Sequence, residues 1–383
     1  MSSITLDQMR TKLLTLDQVA ETLSATEPLT TERVTSDSKI HFTLPDGWNA
    51  DLDTLAGTDV VTASMRINGT EHALTKDAAL MAAATVGLPG AYVRKTPGNL
   101  IEPHLNYWFS GGMGSKEFNV LSVADNIAAF VRPTLVPFSN VNLLEAATAG
   151  IRQQYGESTE ILADYKILNT LQGTDIRLIV PEHQRTMTDT HMTDTPTGEA
   201  DLWSAGIHLS NSLTGKRQTA VEAYLFRWWC TNGCTTSMAD VGAWSRRVDG
   251  QESDVFVWAA DAVNEVLGGM EHKFDEVQAL AHMNVAGNTA DILREIFSQY
   301  EVPVSQRDQI MATLLEAENL TMYTIMQAIT QVANGNEIDP RRADRMMRIG
   351  GAIPTTTFDL VKAKVWGEGH VAEPESSNPY FVG

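Results

Sequence analysis

The stretch Tyr224-Leu-Phe-Arg-Trp-Trp-Cys-Thr-Asn-Gly-Cys234 closes a strand-like run that covers residues 219–229. Side chains alternate between the two faces of a strand. One face of this run therefore carries Val221, Ala223, Leu225, Arg227 and Trp229, and the other carries Glu222, Tyr224, Phe226 and Trp228. Both faces are largely apolar near the end of the run. We predict an inner strand that is covered on both sides.

Two other strand-like runs precede this strand, at residues 174–180 and 202–209. A turn at Gln172-Gly173 and a polar loop at residues 211–216 form two hairpins from these runs and their neighbours. Upstream, residues 61–87 predict a β-turn-β-α unit, with Asn68-Gly69 as the turn and Thr75 as the helix N-cap. From residue 255 onward the apolar period becomes helical.

These elements predict an α+β fold, in which a mixed or antiparallel sheet built from hairpins with packed helices is followed by a helical C-terminal sub-domain. We expect four segments along the chain. They are a loosely attached N-terminal arm over residues 1–54, an α+β core over 55–240, a helical sub-domain over 241–335, and a basic segment with a flexible tail over 336–383.

Two further local predictions concern aromatic and glycine-rich stretches. Tyr107-Trp-Phe-Ser is typical of an aromatic strand, and the following Gly111-Gly-Met-Gly114 favours a flexible hairpin tip. A phosphate-binding loop would instead join a buried strand to a helix. Asn232-Gly233 is expected to end the inner strand sharply, with a helix beginning near Thr235 or Thr236.

The composition is that of a soluble globular protein, with 383 residues, 43% hydrophobic and 20% charged. No apolar run is long enough to span a bilayer, and the N-terminus lacks the order of a signal peptide. We therefore expect a cytoplasmic protein without a membrane partner. The net charge of -20 opposes non-specific attraction to nucleic acid, but residues 171–250 are close to neutral and residues 341–365 are basic.

No familiar catalytic signature is present, so the sequence favours a non-enzymatic protein without a cofactor or metal. Cys230 and Cys234 lack the further ligands that a structural zinc needs, and they are expected to be small buried hydrophobes. His183 and His208 could join a site only through tertiary contact. A hydrolase or nuclease would need carboxylates that come together only when the chain folds.

Arg227 has two interpretations, which the sequence leaves open. It lies on an apolar strand face, where a cation must be paired or must reach outward. It either anchors a buried ion pair or presents its guanidinium to a phosphate or carboxylate. Basic residues interleaved with aromatic ones on a sheet are one way to hold single-stranded nucleic acid. The candidate nucleic-acid contacts are Arg227, Lys216, Arg217, Arg177, Arg185, Trp228 and Tyr224.

Three runs carry a family resemblance: Leu178-Ile-Val-Pro-Glu-His, Gly206-Ile-His-Leu-Ser-Asn-Ser and Leu225-Phe-Arg-Trp-Trp-Cys-Thr-Asn-Gly. Together they resemble the phage/plasmid-like protein family of unknown function, over roughly residues 55–335. The second cysteine, Cys234, stands where that pattern has an aliphatic residue. The resemblance implies a protein that is carried by phages or plasmids and acts in the bacterial cytoplasm, as an accessory protein of phage DNA metabolism.

The sequence thus predicts a phage or plasmid accessory protein that forms homo-oligomers and binds or anneals single-stranded DNA. The alternative is a protein-interaction or counter-defence module, which uses its acidic helical half to engage a host or phage protein. That half carries thirteen acidic and three basic residues between positions 251 and 320.

Overall fold

The structure is a computed structural model, and it describes residues 10–24, 29–35, 38–46, 48, 63–112, 117–123, 126–135, 137–164, 166–170, 173–188, 201–228, 232–236, 243–246, 252–285, 289–299, 302–315, 320–333, 340–353 and 365–366. Its helices are α1 Leu16–Ser24, α2 Lys76–Thr85, α3 Gly90–Lys95, α4 Gly98–Tyr107, α5 Asn140–Tyr155, α6 Glu252–Gly268, α7 Met270–Ala281, α8 Thr289–Gln299, α9 Val304–Leu315, α10 Met322–Ala333 and α11 Pro340–Ala352. A π-helical turn, Trp108–Gly112, extends α4.

The strands are β1 Leu14–Thr15, β2 Leu29–Val34, β3 Ile40–Thr43, β4 Ala63–Ile67, β5 Thr70–Leu74, β6 Phe118–Val123, β7 Asn126–Val131, β8 Leu162–Ala163, β9 Leu168–Thr170, β10 Gly173–Met187, β11 Asp201–Asn211, β12 Thr219–Arg227, β13 Asn232–Thr236, β14 Ala243–Arg246, β15 Asn284–Val285 and β16 Val365–Trp366. Most of them form two large sheets, one mixed and one antiparallel. The two sheets, together with the helices that pack on them and that dominate the C-terminal part of the chain, confirm the α+β class.

The N-terminal sheet is mixed and has the strand order β2-β6-β7-β5-β4-β3. Its β4–β5 hairpin turns at Asn68-Gly69, where both residues have positive φ, 51° and 98°. Thr75 accepts a hydrogen bond from the Ala78 backbone N–H at 3.2 Å and so caps α2. The predicted turn and N-cap are both confirmed.

The central sheet is antiparallel, with the order β1-β8-β10-β11-β12-β13. The long strands β10, β11 and β12 correspond to the three strand-like runs in the sequence. β12 pairs with β11 on one edge and with β13 and β14 on the other, and its residues from Val221 to Arg227 are buried. The predicted inner strand, covered on both faces, is confirmed.

Close contacts between strands depend on Gly206 in β11. A Cβ atom there would lie 2.2 Å from the Leu178 carbonyl oxygen of β10 and 3.2 Å from the Tyr224 ring of β12. Only glycine allows β10 and β11 to approach this closely.

The C-terminal helices share one core with the central sheet. Ile176, Ile207 and Val221 of the sheet belong to the same buried cluster as Val263 of α6 and Met347 of α11. The expected boundary near residue 240 therefore does not separate two cores, because the apolar helix faces cover the sheet directly.

The N-terminal segment is more firmly packed than the predicted arm. Val19 and Leu23 of α1 are fully buried in the core of the central sheet, and β2 and β3 form the two edges of the N-terminal sheet. The amphipathic face of α1 explains this difference, since burying it removes its apolar side chains from water.

Two local predictions are wrong. Residues 107–110 continue a helix rather than forming a strand, because Ile101, Leu105 and Phe109 recur every fourth residue and are all buried. Residues 232–236 form β13 and pair with β12, where a helix start was expected. Cys230, the loop 189–200 and the tail 367–383 lie outside the described residues, as does the side chain of Cys234.

Among the helices in the described ranges, none combines the length and the apolar character needed to cross a bilayer.

Candidate functional site

The same three strands, β10, β11 and β12, carry a buried charged cluster on each face. On one face, register pairs Arg177 with His208 and His208 with Glu222, so the three side chains form a row across the strands. Asp175 precedes Arg177 by two residues and therefore projects from the same face. These four side chains, with Asp344 and Arg348 of α11 and Arg217 at the rim, are called the ion cluster.

His208 lies at the centre of the ion cluster and is fully buried. Its Nδ1 is 3.1 Å from Glu222 Oε2 and 3.2 Å from Arg348 Nη2. Its Nε2 is 3.4 Å from Asp175 Oδ1 and 3.7 Å from Asp344 Oδ1. Carboxylates thus face both ring nitrogens.

The helix α11 supplies charges of both signs to the ion cluster. Asp344 Oδ1 accepts a hydrogen bond from Arg177 Nη2 at 2.8 Å, and Asp344 Oδ2 accepts one from Arg348 Nε at 3.0 Å. Arg348 also donates to the Glu222 carboxylate. Asp344 and Arg348 are four residues apart, so both project from one helix face toward the strands.

The rim of the ion cluster reaches solvent. The side chains of Arg348 and Arg217 are 31% and 39% exposed, whereas Asp175 and Arg177 are almost completely buried. Arg217 Nη1 donates to Asp175 Oδ2 at 3.1 Å. The ion cluster is therefore buried at one end and in contact with solvent at the other, where Arg348 and Arg217 lie.

The pKa values follow from burial and from the neighbouring charges. Burial alone would raise the pKa of Glu222, but hydrogen bonds and charges from His208 and Arg348 lower it to about 2. Burial would likewise lower the pKa of His208, yet Asp344, Asp175 and Glu222 outweigh it and raise the pKa. The pKa of Asp344 is well below its usual range because His208 and the two arginines overcome its burial.

Two nitrogen atoms of the ion cluster, Arg177 Nε and His208 Nε2, have no hydrogen bond among the described residues. Among the described residues, His208 Nε2 makes no hydrogen bond of acceptable geometry, although it is fully enclosed. Nε2 and one oxygen each of Asp175 and Asp344 lie within 4.8 Å of one another. This is the arrangement of donor atoms that can hold a cation.

The opposite face carries a second charged group, the arginine cluster, built from Arg227, Asp201, Tyr323, Trp203 and Gln327. Arg227 Nε and Nη2 donate to the two carboxylate oxygens of Asp201 at 2.6 and 3.0 Å, and Nη1 donates to Gln327 Oε1 at 2.8 Å. The Tyr323 hydroxyl donates to Asp201 and accepts from Trp203 Nε1 at 3.1 Å. Burial and the Asp201 charge keep the pKa of Tyr323 well above its ordinary value.

The structure corrects four of the seven predicted nucleic-acid contacts. Arg227 and Arg177 are each 4% exposed and paired with carboxylates, and Tyr224 and Trp228 are core residues. A guanidinium that is buried and paired with a carboxylate cannot reach a phosphate at the surface. Of the two interpretations of Arg227, the structure selects the buried ion pair.

The other three predicted contacts are dispersed. Lys216 is exposed on the β11–β12 loop, Arg217 binds Asp175, and Arg185 is partly exposed with Asp275 at 2.6 Å. Arg185 therefore neutralises an acidic position of α7. The seven residues do not form one basic groove in the part of the chain that the structure describes.

A different surface exposes aromatic side chains. Tyr92 of α3, Tyr107 of α4 and Trp108 are 41%, 69% and 38% exposed, and they are the exposed aromatic residues of the described ranges. The Tyr92 ring contacts His104, and the Tyr107 ring contacts Trp108 edge-on with centroids 5.5 Å apart. With Arg94 and Lys95 in the last turn of α3, these residues are called the aromatic surface.

The aromatic surface is locally basic. Residues 88–112 contain Arg94 and Lys95 and one acidic residue, Glu102. The Glu102 carboxylate accepts a hydrogen bond from the Leu44 backbone N–H at 2.7 Å, so it is directed toward β3 rather than toward solvent. A positive, aromatic surface is thereby exposed on a chain whose net charge is -20.

Sequence reasoning missed both of these sites. The signal for the ion cluster was the placement of Asp175, Arg177, His208 and Glu222 at alternate positions of otherwise apolar strands. The signal for the aromatic surface was the four-residue period of the buried positions between the exposed rings.

Comparisons of the chain with protein-family models, with curated proteins and with solved structures find no match. The resemblance to the phage/plasmid-like family therefore stays a prediction.

Proposed function

We propose that the protein binds single-stranded nucleic acid, and that the aromatic surface rather than the face of the central sheet makes the contacts. The observation that carries this proposal is the exposure of Tyr92, Tyr107 and Trp108 beside Arg94 and Lys95. Exposed rings stack on bases of any sequence, and nearby cations hold the phosphates. Annealing of complementary strands as a phage or plasmid accessory protein is the cellular role that we attach to this binding.

Charge supports the location. Most of the chain repels a polyanion, since its net charge is -20, so a strand is attracted only where the local charge is positive. Within residues 88–112 the aromatic surface meets that condition, because the Glu102 carboxylate is directed inward. The rings then stack on bases of any sequence, and each stacked base contributes about 1 to 3 kcal/mol of binding free energy.

Fluorescence anisotropy with a labelled oligo(dT) at low salt tests the proposal. Tyr107→Ala is expected to weaken binding by about 5- to 100-fold, because it removes one stacking platform. Lys95→Ala is expected to flatten the plot of log affinity against log salt by about 0.7. Leu315→Ala on α9 removes an apolar side chain that is even more exposed, 82% against 69% for Tyr107, and is expected to leave oligonucleotide binding unchanged.

Two results would reject nucleic-acid binding at this surface. One is the absence of any binding at low salt. The other is equal affinity in the wild-type protein and in Tyr107→Ala. If light scattering shows instead that Tyr107→Ala lowers the molecular mass without any oligonucleotide effect, the surface joins copies of the chain.

A second candidate function is the protein-interaction or counter-defence module. Asp254, Asp261 and Glu265 are exposed along α6 beside Val257, which is 60% accessible, so an acidic strip with an apolar centre faces outward. Such a strip would engage a basic partner protein. Neutralising the three acids would then abolish co-purification with that partner and leave oligo(dT) binding intact, whereas Tyr107→Ala would do the reverse.

A further inference from the structure

The ion cluster is independent of the aromatic surface and contains a buried imidazole nitrogen, His208 Nε2, that makes no hydrogen bond among the described residues. We infer that Asp175, His208 and Asp344 bind one divalent transition-metal ion, such as Co²⁺, Zn²⁺ or Mn²⁺, through His208 Nε2 and one oxygen of each carboxylate. Mixed nitrogen and oxygen donors suit these ions better than they suit Mg²⁺ or Ca²⁺, which prefer oxygen alone.

The separations of the donor atoms fit one ion. Bonds of about 2.0 to 2.2 Å from a metal to nitrogen and oxygen place neighbouring ligand atoms about 3 to 4 Å apart. His208 Nε2 is 3.4 Å from Asp175 Oδ1 and 3.7 Å from Asp344 Oδ1, and the whole set lies within 4.8 Å. Small rotations of the side chains suffice to close the site.

Glu222 orients the histidine for this role. A metal ion on Nε2 needs the ring proton on Nδ1, and the Glu222 carboxylate, 3.1 Å from Nδ1, can accept a hydrogen bond from it there. Arg348 Nη2 lies 3.2 Å from the same nitrogen and does not donate to it in that tautomer. The lone pair of Nε2 then projects between Asp175 and Asp344. A carboxylate behind a histidine ligand is the usual support in metal sites, because it fixes both the tautomer and the ring orientation.

The surrounding arginines leave lone pairs on both aspartate carboxylates available to a cation. Asp175 is bound by Arg217 mainly through Oδ2, and Oδ1 faces His208. Asp344 Oδ1 accepts from Arg177, but a carboxylate oxygen has a second lone pair. Arg348 binds the other oxygen, Oδ2. The oxygens that face Nε2 are therefore able to coordinate without breaking the ion pairs.

The balance of charge also permits a divalent ion. Four buried or nearly buried carboxylates, Asp164, Asp175, Glu222 and Asp344, surround the guanidiniums of Arg177, Arg217 and Arg348. Lys166 interacts with Asp164 and Arg177 and adds a fourth positive charge. Once the metal has displaced the proton of His208, the group has no net charge, so the entering cation meets no net repulsion. The partly exposed rim at Arg348 and Arg217 gives it a route from solvent.

The test uses the full chain, stripped with EDTA and titrated with Co²⁺, whose visible absorption reports the ligands that it meets. We expect one equivalent to bind, with absorption bands that indicate nitrogen and oxygen donors. His208→Gln is expected to abolish these bands. Glu222→Gln is expected to keep the stoichiometry and weaken the affinity by about 10- to 100-fold, because it removes only the supporting carboxylate.

His183→Gln is the matched control, since His183 lies beside Glu271 at the surface, 3.4 Å away, and would account for adventitious binding. If circular dichroism shows that His208→Gln does not fold, Asp344→Asn at the partly exposed rim replaces it. The inference is overturned if the wild-type chain binds no Co²⁺. It is also overturned if the bands survive in the ion-cluster variant or disappear in His183→Gln.

Discussion

The two faces of the strands β10, β11 and β12 each carry buried charges, but they differ in how completely those charges are matched. In the arginine cluster every charged atom has a hydrogen-bonded partner, and the atom without one among the described residues is the uncharged Gln327 Nε2. In the ion cluster His208 Nε2 and Arg177 Nε have none within the same ranges. We call the face of the arginine cluster closed, because its charged atoms are all hydrogen-bonded, and the face of the ion cluster open, because two of its nitrogen atoms are not so bonded in the described part of the chain.

This difference separates a structural role from a binding role. A buried ion pair with ideal bidentate geometry adds little net stability, although breaking it costs much. The Arg227–Asp201 pair anchors α10 to β11 and β12 through Tyr323 and Gln327. The ion cluster opens to solvent at its rim and leaves one nitrogen directed between two carboxylates. Its residues can therefore interact with something outside the chain.

The largest expected difference between the two clusters is the loss of stability when one charge is removed from each. Asp201→Asn leaves the Arg227 charge buried without a carboxylate, and we expect a loss of about 3 to 5 kcal/mol in the free energy of unfolding. Arg217→Gln is expected to cost less than half of this, because Arg217 is 39% exposed and Asp175 still faces His208 after the change. Urea denaturation in EDTA measures both variants, and equal losses would contradict the distinction.

Acid should weaken the ion cluster through Glu222. Its pKa is about 2 in the folded chain and near 4.5 when unperturbed, so ionised Glu222 contributes about 3 kcal/mol at neutral pH. Because the folded pKa is the lower one, this contribution is present above pH 4.5 and is lost as the pH falls toward 2. Urea midpoints between these pH values, in EDTA, should fall more steeply for the wild-type chain than for Glu222→Gln. Parallel curves would refute the assignment.

Removal of one hydroxyl group from the arginine cluster is expected to have a smaller effect on stability. Tyr323→Phe removes one donor to Asp201 and the acceptor of Trp203 Nε1. We expect a loss of about 1 to 2 kcal/mol, since one buried N–H is left unsatisfied. Tyr155→Phe is the matched control, because among the described residues its hydroxyl makes no hydrogen bond. A control loss as large as that of Tyr323→Phe would remove the explanation.

The sequence predicted the strands better than the sites that they carry. The alternation from Val221 to Trp228 was sufficient to place β12 between neighbours, because two apolar faces require cover on both sides. The same alternation gave the face of Arg227 but not its partner. Asp201 and Gln327 stand 26 and 100 residues away in sequence, and only the folded chain brings them to the guanidinium.

The ion cluster was harder to predict from the sequence than the partners of Arg227. Asp344 is 167 residues from Arg177, on a helix whose basic composition concealed the carboxylate's role. The aromatic surface was missed for a local reason. Pro97 and Pro103 interrupt the segment, and Tyr107-Trp-Phe has the composition of a strand, whereas the buried positions follow a helical period.

The most direct test compares the unfolding midpoint in EDTA and in saturating Co²⁺ for the wild-type chain, Tyr323→Phe and His208→Gln. At a free metal concentration of 100 times the dissociation constant, a site present only in the folded state adds about 2.7 kcal/mol. We predict this gain for the wild-type chain and for Tyr323→Phe, and none for His208→Gln. A gain that persists in His208→Gln, or one that is absent from the wild-type chain, would contradict the assignment of an open and a closed face.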